Sequence, residues 1–224
     1  MFEDCSSIQA IDLSANDTNI KQASFLMMFN NCKYMTELNI SNLQTDGSYI
    51  LEQHPAANML AGCTALTKIT FGQNWKNATM FNCAGDSIST KWVNVEEALS
   101  VNYTQFPNTE YAGAGTFEVA KYSATFSVPK EYEGYFTLSL NEIYFSESLT
   151  AKYKIDPTTM FMTIVLQNTS GTSKEYPISV KRNKYEFKFN CWTLNGAKLS
   201  GEASVVDGNN FVIDVSKDTN TALA

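Results

Sequence analysis

Histidine is almost missing from this chain, with one residue, His54, among 224. A Ser-His-Asp or Cys-His nucleophilic device needs an imidazole, and the single one stands before Pro55, where a solvated loop position accounts for it. Zinc is disfavoured as well. Zinc motifs pair ligands two to four residues apart, whereas Cys5, Cys32, Cys63, Cys83 and Cys191 are scattered. Basic charge is short: Lys and Arg total 16 against 23 Asp and Glu, a net charge of −7. That balance excludes the clustered basic surface that binds phosphate backbones, and the one tight cluster, Lys181-Arg182-x-Lys184, reads as a solvated turn between strands. No apolar run approaches the roughly 20 residues of a membrane span. Met1-Phe2-Glu3-Asp4 has neither the basic start nor the apolar stretch of a signal peptide.

Other chemistry-bearing patterns are equally thin. Gly113-x-Gly115 lacks the rest of any phosphate-binding fingerprint. Glu96-Glu97 and Glu131-x-Glu133 offer paired carboxylates, but adjacent acids on a turn read as solvated, and nothing in the sequence sets them in the cleft a glycosidase needs. Asp207-Gly208-Asn209-Asn210 is explained by turn chemistry without calcium. The expectation is a protein with no catalytic residue, no cofactor and no bound metal.

What is present is repetition. Met1-Phe2-x-x-Cys5-x-x-Ile8-x-x-Ile11-x-Leu13 is followed by Met28-Phe29-x-x-Cys32-x-x-Met35-x-x-Leu38-x-Ile40. The third copy is Met59-Leu60-x-x-Cys63-x-x-Leu66-x-x-Ile69-x-Phe71. A period near 30 residues marks stacked units. Each copy reads as a helical turn, a corner and a short strand with apolar residues at period two, and Ala23 to Met28 reads as a further helical stretch. Equivalent positions then stack about one strand spacing apart, so a ladder of buried thiols is expected in preference to disulfides. The spacing between cysteines grows from 27 to 31 residues at the third copy, which places a protruding loop around Asp46-Gly47 and His54-Pro55. Met80-Phe81-x-Cys83 reads as a clipped closing copy, and Trp92-Val93-x-Val95 as a strand that ends the stack.

Met1-Phe2, Cys5, Ile8, Ile11-Asp12-Leu13-Ser14 and Asp17-Thr18 resemble the BspA-type leucine-rich repeat of bacterial surface proteins. The second copy departs by Asn39 for the aspartate, and the third by Leu60 for Phe. The resemblance covers residues 1 to about 85. It implies a surface-displayed binding module and carries over no catalytic residue, because the motif residues are structural. The motif already stands at Met1. A neighbouring subunit or a missing upstream domain is therefore expected to cover that repeat, with any targeting signal outside the numbered chain.

After Tyr111-Ala112-Gly113-Ala114-Gly115 the pattern changes to strand signals every 8 to 15 residues. Examples are Tyr122-x-Ala124-x-Phe126-x-Val128, Leu149-x-Ala151-x-Tyr153-x-Ile155, Tyr185-x-Phe187-x-Phe189, Trp192-x-Leu194 before Asn195-Gly196, and Phe211-x-Ile213-x-Val215. About eight short strands without helical period predict an antiparallel sandwich of the immunoglobulin-like kind or a small lipocalin-like barrel. The fold expectation is a short, irregular α/β leucine-rich-repeat solenoid over residues 1–112, with a degenerate last repeat, followed by an all-β antiparallel domain over 113–224.

These features predict a non-enzymatic adhesion or recognition module at the cell surface or secreted, binding a protein or glycan on another cell. Asp46, Tyr49, His54, Trp75 and Trp92 are its candidate contact residues. One alternative is a structural component of a larger assembly such as a viral or phage particle, hence virion-located. The other is a carbohydrate-binding module or glycan-acting enzyme, for which Trp75, Tyr132, Tyr135, Tyr144 and Trp192 are candidate platforms. Neither nucleic acid nor a membrane span is expected.

Overall fold

The residue before each repeat cysteine decides how the first half folds. Asp4, Asn31 and Gly62 occupy equivalent positions, and all three are left-handed, with φ of 59°, 59° and 78°. Asp, Asn and Gly are the residues that tolerate this region. A left-handed residue at that point ends any right-handed helix, and two successive tight turns form instead. The amides of Cys32 and Cys63 donate back to the carbonyls of Phe29 and Leu60, and those of Met35 and Leu66 to the carbonyls of Cys32 and Cys63. Cys5 and Ile8 make the same pair of bonds in the first copy. The three-residue spacing of the motif is thus the period of consecutive turns, not of helix.

The computed structural model describes residues 2–14, 27–43, 59–72, 91–96, 99–101 and 115–219. The expected α/β leucine-rich-repeat solenoid is overturned. The described residues carry no α-helix, only one 3-10 turn at Lys130–Tyr132, and the architecture is almost entirely β. Ala23 to Leu26, most of the expected helical stretch, lie outside the described residues. Among the described residues no helix is long and apolar enough to cross a membrane.

The repeats end in strands β1 (Ala10–Asp12), β2 (Glu37–Ile40) and β3 (Lys68–Phe71). They pair in parallel, with Ile11 beside Leu38 and Leu38 beside Ile69. Asp12 and Asn39 close their strands by accepting the amides of Ser14 at 2.8 Å and Ser41 at 3.1 Å. The hydroxyl of Ser14, with its amide, holds the Asp12 carboxyl below the usual range. β4 (Trp92–Asn94), β5 (Leu99–Val101) and β6 (Gly115–Val119) complete a six-stranded sheet in the order β1-β2-β3-β6-β4-β5. β6 runs antiparallel between β3 and β4 and stops the parallel run after three rungs.

Inside this ladder the cysteines are free thiols. The Cys32 thiol donates to the Phe2 carbonyl at 2.9 Å and the Cys63 thiol to the Phe29 carbonyl at 3.0 Å, each reaching one rung back. A threonine column runs beside them: the Thr36 and Thr67 hydroxyls donate to the carbonyls of Gln9 and Thr36. Burial drives the Cys63 thiol up to about 12 from the ordinary 9.0.

The chain divides into two compact units, Met1–Glu96 with Ser100–Val119, and Glu97–Leu99 with Ala120–Ala224. β6 belongs to the first because its backbone pairs with β3, so residues 115–119 lie on the other side of the division expected after residue 112.

The second unit is built of β7 (Tyr122–Ser127), β8 (Phe136–Leu138), β9 (Glu142–Phe145), β10 (Leu149–Ile155), β11 (Met162–Asn168), β12 (Ser173–Ile178), β13 (Val180–Arg182), β14 (Phe187–Leu194), β15 (Ala197–Lys198), β16 (Glu202–Ser204) and β17 (Asn209–Lys217). Sheets of order β12-β11-β10-β16 and β15-β14-β17-β7-β9 form, with β13-β8 as a separate pair. The second sheet is mixed rather than antiparallel, since β7 and β17 pair in parallel. Strict alternation in β10 turns Leu149, Ala151, Tyr153 and Ile155 inward. Tyr153 meets Phe211 of the other sheet at 5.7 Å, so the two sheets share a core in which Phe126 stacks on Phe211 and Trp192 meets Phe126 edge-on. Asn195 and Gly196, with φ of 52° and 76°, make the two-residue turn between β14 and β15.

Gly62→Ala is expected to cost more than Gly196→Ala in urea unfolding. Both sites pay the left-handed penalty of about 1–2 kcal/mol, but a Cβ at Gly62 strikes the Asn31 side chain, whereas nothing lies within 4 Å at Gly196. Equal losses would show that the stacked corner does not constrain the ladder. The thiol gives a second test. A folded value raised above the unfolded one contributes stability that is complete below pH 9 and is lost as pH rises towards about 12. Relative to Cys63→Ala, the wild type should therefore lose up to ~1.4 kcal/mol per pH unit across that window, and parallel pH profiles would refute this.

Candidate functional site

Four of the five residues expected to make contacts, Asp46, Tyr49, His54 and Trp75, lie outside the described residues. The fifth, Trp92, is fully buried in β4 between β6 and β5, so its ring has no surface to offer a partner. Of the candidate sugar platforms, Trp192 is fully buried and Tyr144 is buried in β9. Trp192 buries its indole N–H with no hydrogen-bond partner in the structure, a cost of about 1–3 kcal/mol. The remaining two, Tyr132 and Tyr135, come together on one corner of the second unit.

Local sequence builds that corner. Pro129 starts a 3-10 turn at Lys130–Tyr132, with the Tyr132 amide on the Pro129 carbonyl at 2.8 Å and the Tyr135 amide on the Tyr132 carbonyl at 3.0 Å. The chain then enters β8, which pairs with β13 so that Phe136 lies opposite Arg182. Asn183 ties the two segments together. Its amide donates to the Tyr135 carbonyl at 2.8 Å, and its side chain donates to the Thr137 hydroxyl at 2.8 Å and the Gly134 carbonyl at 3.4 Å.

Onto this frame the chain sets four aromatic rings. Phe187 packs against Tyr132 at 5.0 Å and edge-on against Tyr135 at 5.2 Å, and all three are half-buried. The Lys184 ammonium lies 4.3 Å from the Tyr135 ring centre, within cation–π range. Tyr185 stands apart at 73% exposure, with the Arg182 guanidinium 5.2 Å from its ring. Arg182 also holds the loop, donating to the carbonyls of Lys184 and Tyr185 and pairing with Asp218 at 2.8 Å. Its fixed fork of donors suits several acceptors at once.

The chemistry offered is apolar faces bordered by hydroxyls and by charges of both signs. Lys184, Glu131, Glu133 and Glu186 are all exposed on these two segments, while Arg182 is neutralised by Asp218. Tyr185, Phe187 and Lys184 were not singled out as contact residues from the sequence. Tyr185-x-Phe187-x-Phe189 reads as a strand, yet β14 begins only at Phe187, which leaves Tyr185 outside the sheet. Elsewhere the Asp207-Gly208-Asn209-Asn210 turn has its side chains taken up by hydrogen bonds within the fold. Asp207 accepts the Ser123 amide, Asn209 the Val206 amide, and Asn210 the hydroxyls of Thr125 and Ser127. Among the described residues no three His, Cys, Asp or Glu side chains gather closely enough to hold a metal ion.

Removing the Arg182 guanidinium should unfasten the corner. Arg182→Met is expected to cost about 1–3 kcal/mol, because Asp218 and two loop carbonyls lose a charged donor in a part-buried position. Thermal unfolding alongside Asp218→Asn and the double variant measures the coupling, and additive losses would mean the pair does not act as a unit. No family model, curated protein or solved structure matches this chain.

Proposed function

We propose that this chain is a non-enzymatic recognition module that binds a glycan on the aromatic corner of its second unit. The observation that carries the reading is the grouping of Tyr132 and Tyr135, each half-buried and packed on Phe187, on the corner whose loop also carries the exposed ring of Tyr185. Single exposed apolar residues are ordinary. A preformed group of rings is different, because it presents flat apolar area whose side-chain freedom is already spent in the unbound protein. Neighbouring charges of both signs favour an uncharged ligand, and the faces of neutral pyranose rings combine apolar C–H surface with hydroxyls that Tyr132, Tyr135 and Lys184 are suited to meet. The resemblance of the repeats to bacterial surface proteins supports display at the cell surface.

A neutral-glycan array tests this reading. The wild-type chain should bind discrete neutral structures, and Tyr185→Ala and Tyr132→Ala should each weaken binding about tenfold, equivalent to ~1.4 kcal/mol, with unfolding midpoints little changed for Tyr185→Ala. Absence of neutral-glycan binding, or binding indifferent to both substitutions, would overturn the glycan reading.

A further inference from the structure

The aromatic corner does not end at Phe187. β14 carries Phe187 and Phe189 in regular register, opposite Lys217 and Val215. The two rings therefore stand on one face of the strand, about 7 Å apart along it. The bulge after Phe189 turns Trp192 to the same face, and the two rings meet at 6.3 Å. Phe189 thus rests on a fully buried indole, as Phe187 rests on Tyr132 and Tyr135.

Phe189 is also met by Phe161, with ring centres 5.7 Å apart and planes tilted by 33°. Phe161 is 44% exposed, and the turn between β10 and β11 fixes where it stands. The Asp156 carboxylate accepts the amides of Thr158 and Thr159 at 2.9 and 2.7 Å, and the Asp156 carbonyl accepts the Met160 amide at 2.9 Å. Phe161 is held at both ends of its main chain: its amide donates to the Thr159 hydroxyl at 3.3 Å, and its carbonyl accepts the Asp156 amide at 3.0 Å. Inside this braced turn Met160 is left-handed, with φ of 61°, a region that Gly, Asn and Asp tolerate far better. An unfavourable backbone angle and an exposed phenylalanine do nothing for the fold by themselves. Together they point to a use for the ring where it stands.

Tyr132 and Tyr135 touch Phe187, whereas Phe161 touches Phe189, so the rings follow one another along β14. We propose that they are successive subsites for one linear, neutral oligosaccharide laid lengthwise along β14, with Phe161 as the subsite remote from Tyr135. The proposal rests on the glycan reading of the corner and adds the shape of the ligand. Sugar units in an unbranched chain recur at a fixed interval, and each offers an apolar C–H face. Once the first unit is seated, the next is tethered beside its own ring and loses little further freedom. Affinity then rises with chain length until the row is filled. Exposed charges of both signs flank the row, Glu131 and Glu186 with Lys184, which suits an uncharged chain.

The test titrates the whole chain calorimetrically with cello-, manno-, xylo- and laminari-oligosaccharides, each from the disaccharide to the hexasaccharide. At least one series should bind, with affinity rising tenfold or more along it. Phe161→Ala should erase most of that rise and leave the disaccharide within about twofold. Phe161→Leu, apolar but without a flat face, should behave like Phe161→Ala, and Phe161→Tyr should keep the rise. Tyr132→Ala should weaken short and long chains alike, about tenfold. Unfolding midpoints check that each variant is folded. Tyr132-dependent binding that does not grow with length, or a rise that survives Phe161→Ala, would overturn the row and leave the glycan reading standing. So would binding of branched neutral glycans with none of the four linear series. Silence of every neutral glycan would overturn both.

Discussion

The left-handed corner ahead of Cys5, Cys32 and Cys63 is the constraint on which the described part of the first unit rests. It forces the chain out of any helix and turns it twice. It also aims the next thiol inward and back, towards the carbonyl of the preceding rung. Cysteine suits that place because it is small, tolerates burial, and still carries a weak donor. Threonine at the neighbouring column brings a second short donor on a β-branched stem that suits a strand entrance. With both columns in place, the rungs bury Met35, Leu38, Leu66 and Ile69.

The second unit solves the same problem with rings. Phe126, Tyr153, Trp192 and Phe211 fill the space between its sheets, while a separate aromatic group stays at the β8–β13 corner, held outside the core by Asn183 and the Arg182–Asp218 pair. The two groups differ in how their main chain is fixed. Core rings sit on long paired strands, whereas corner rings sit on a 3-10 turn and on the approach to β14, where side chains are free to face solvent.

Much of the strand pattern was legible because alternation is a direct imprint of a half-buried pleat. Leu149 to Ile155 shows it without a break, and the Asn195-Gly196 turn announced its hairpin. Three features were not legible, each for a physical reason. The three-residue spacing of the repeats suits a helical face and a chain of turns equally, and only the backbone angle at Asp4, Asn31 and Gly62 separates them. Phe187 to Phe189 and Trp192 to Leu194 fall in opposite phase and read as two strands, but a bulge between Phe189 and Cys191 joins them in one strand and shifts the phase. β9 has three successive buried residues after Glu142 and so shows no alternation. Of the candidate contact residues, Trp92 was misplaced because a large aromatic in a short strand has the same sequence signature whether its ring faces core or solvent. Tyr132 and Tyr135 were named from the sequence. Their partner Phe187 lies more than fifty positions away, and only the pairing of β8 with β13 brings them together.

The parallel pairing of β7 with β17 has a mechanical side. These are the first and last strands of the second unit, joined over four residue pairs from Ala124 beside Asn209 to Ser127 beside Val212. A pull applied at the two ends of that unit draws β7 and β17 past each other along their length. The bonds between them are then loaded together in shear and must yield together, whereas an antiparallel terminal pair pulled from its open end would unzip one bond at a time. The unit is thus built to stay folded under tension, which is a useful property for any domain that must hold a ligand while its two ends are pulled apart.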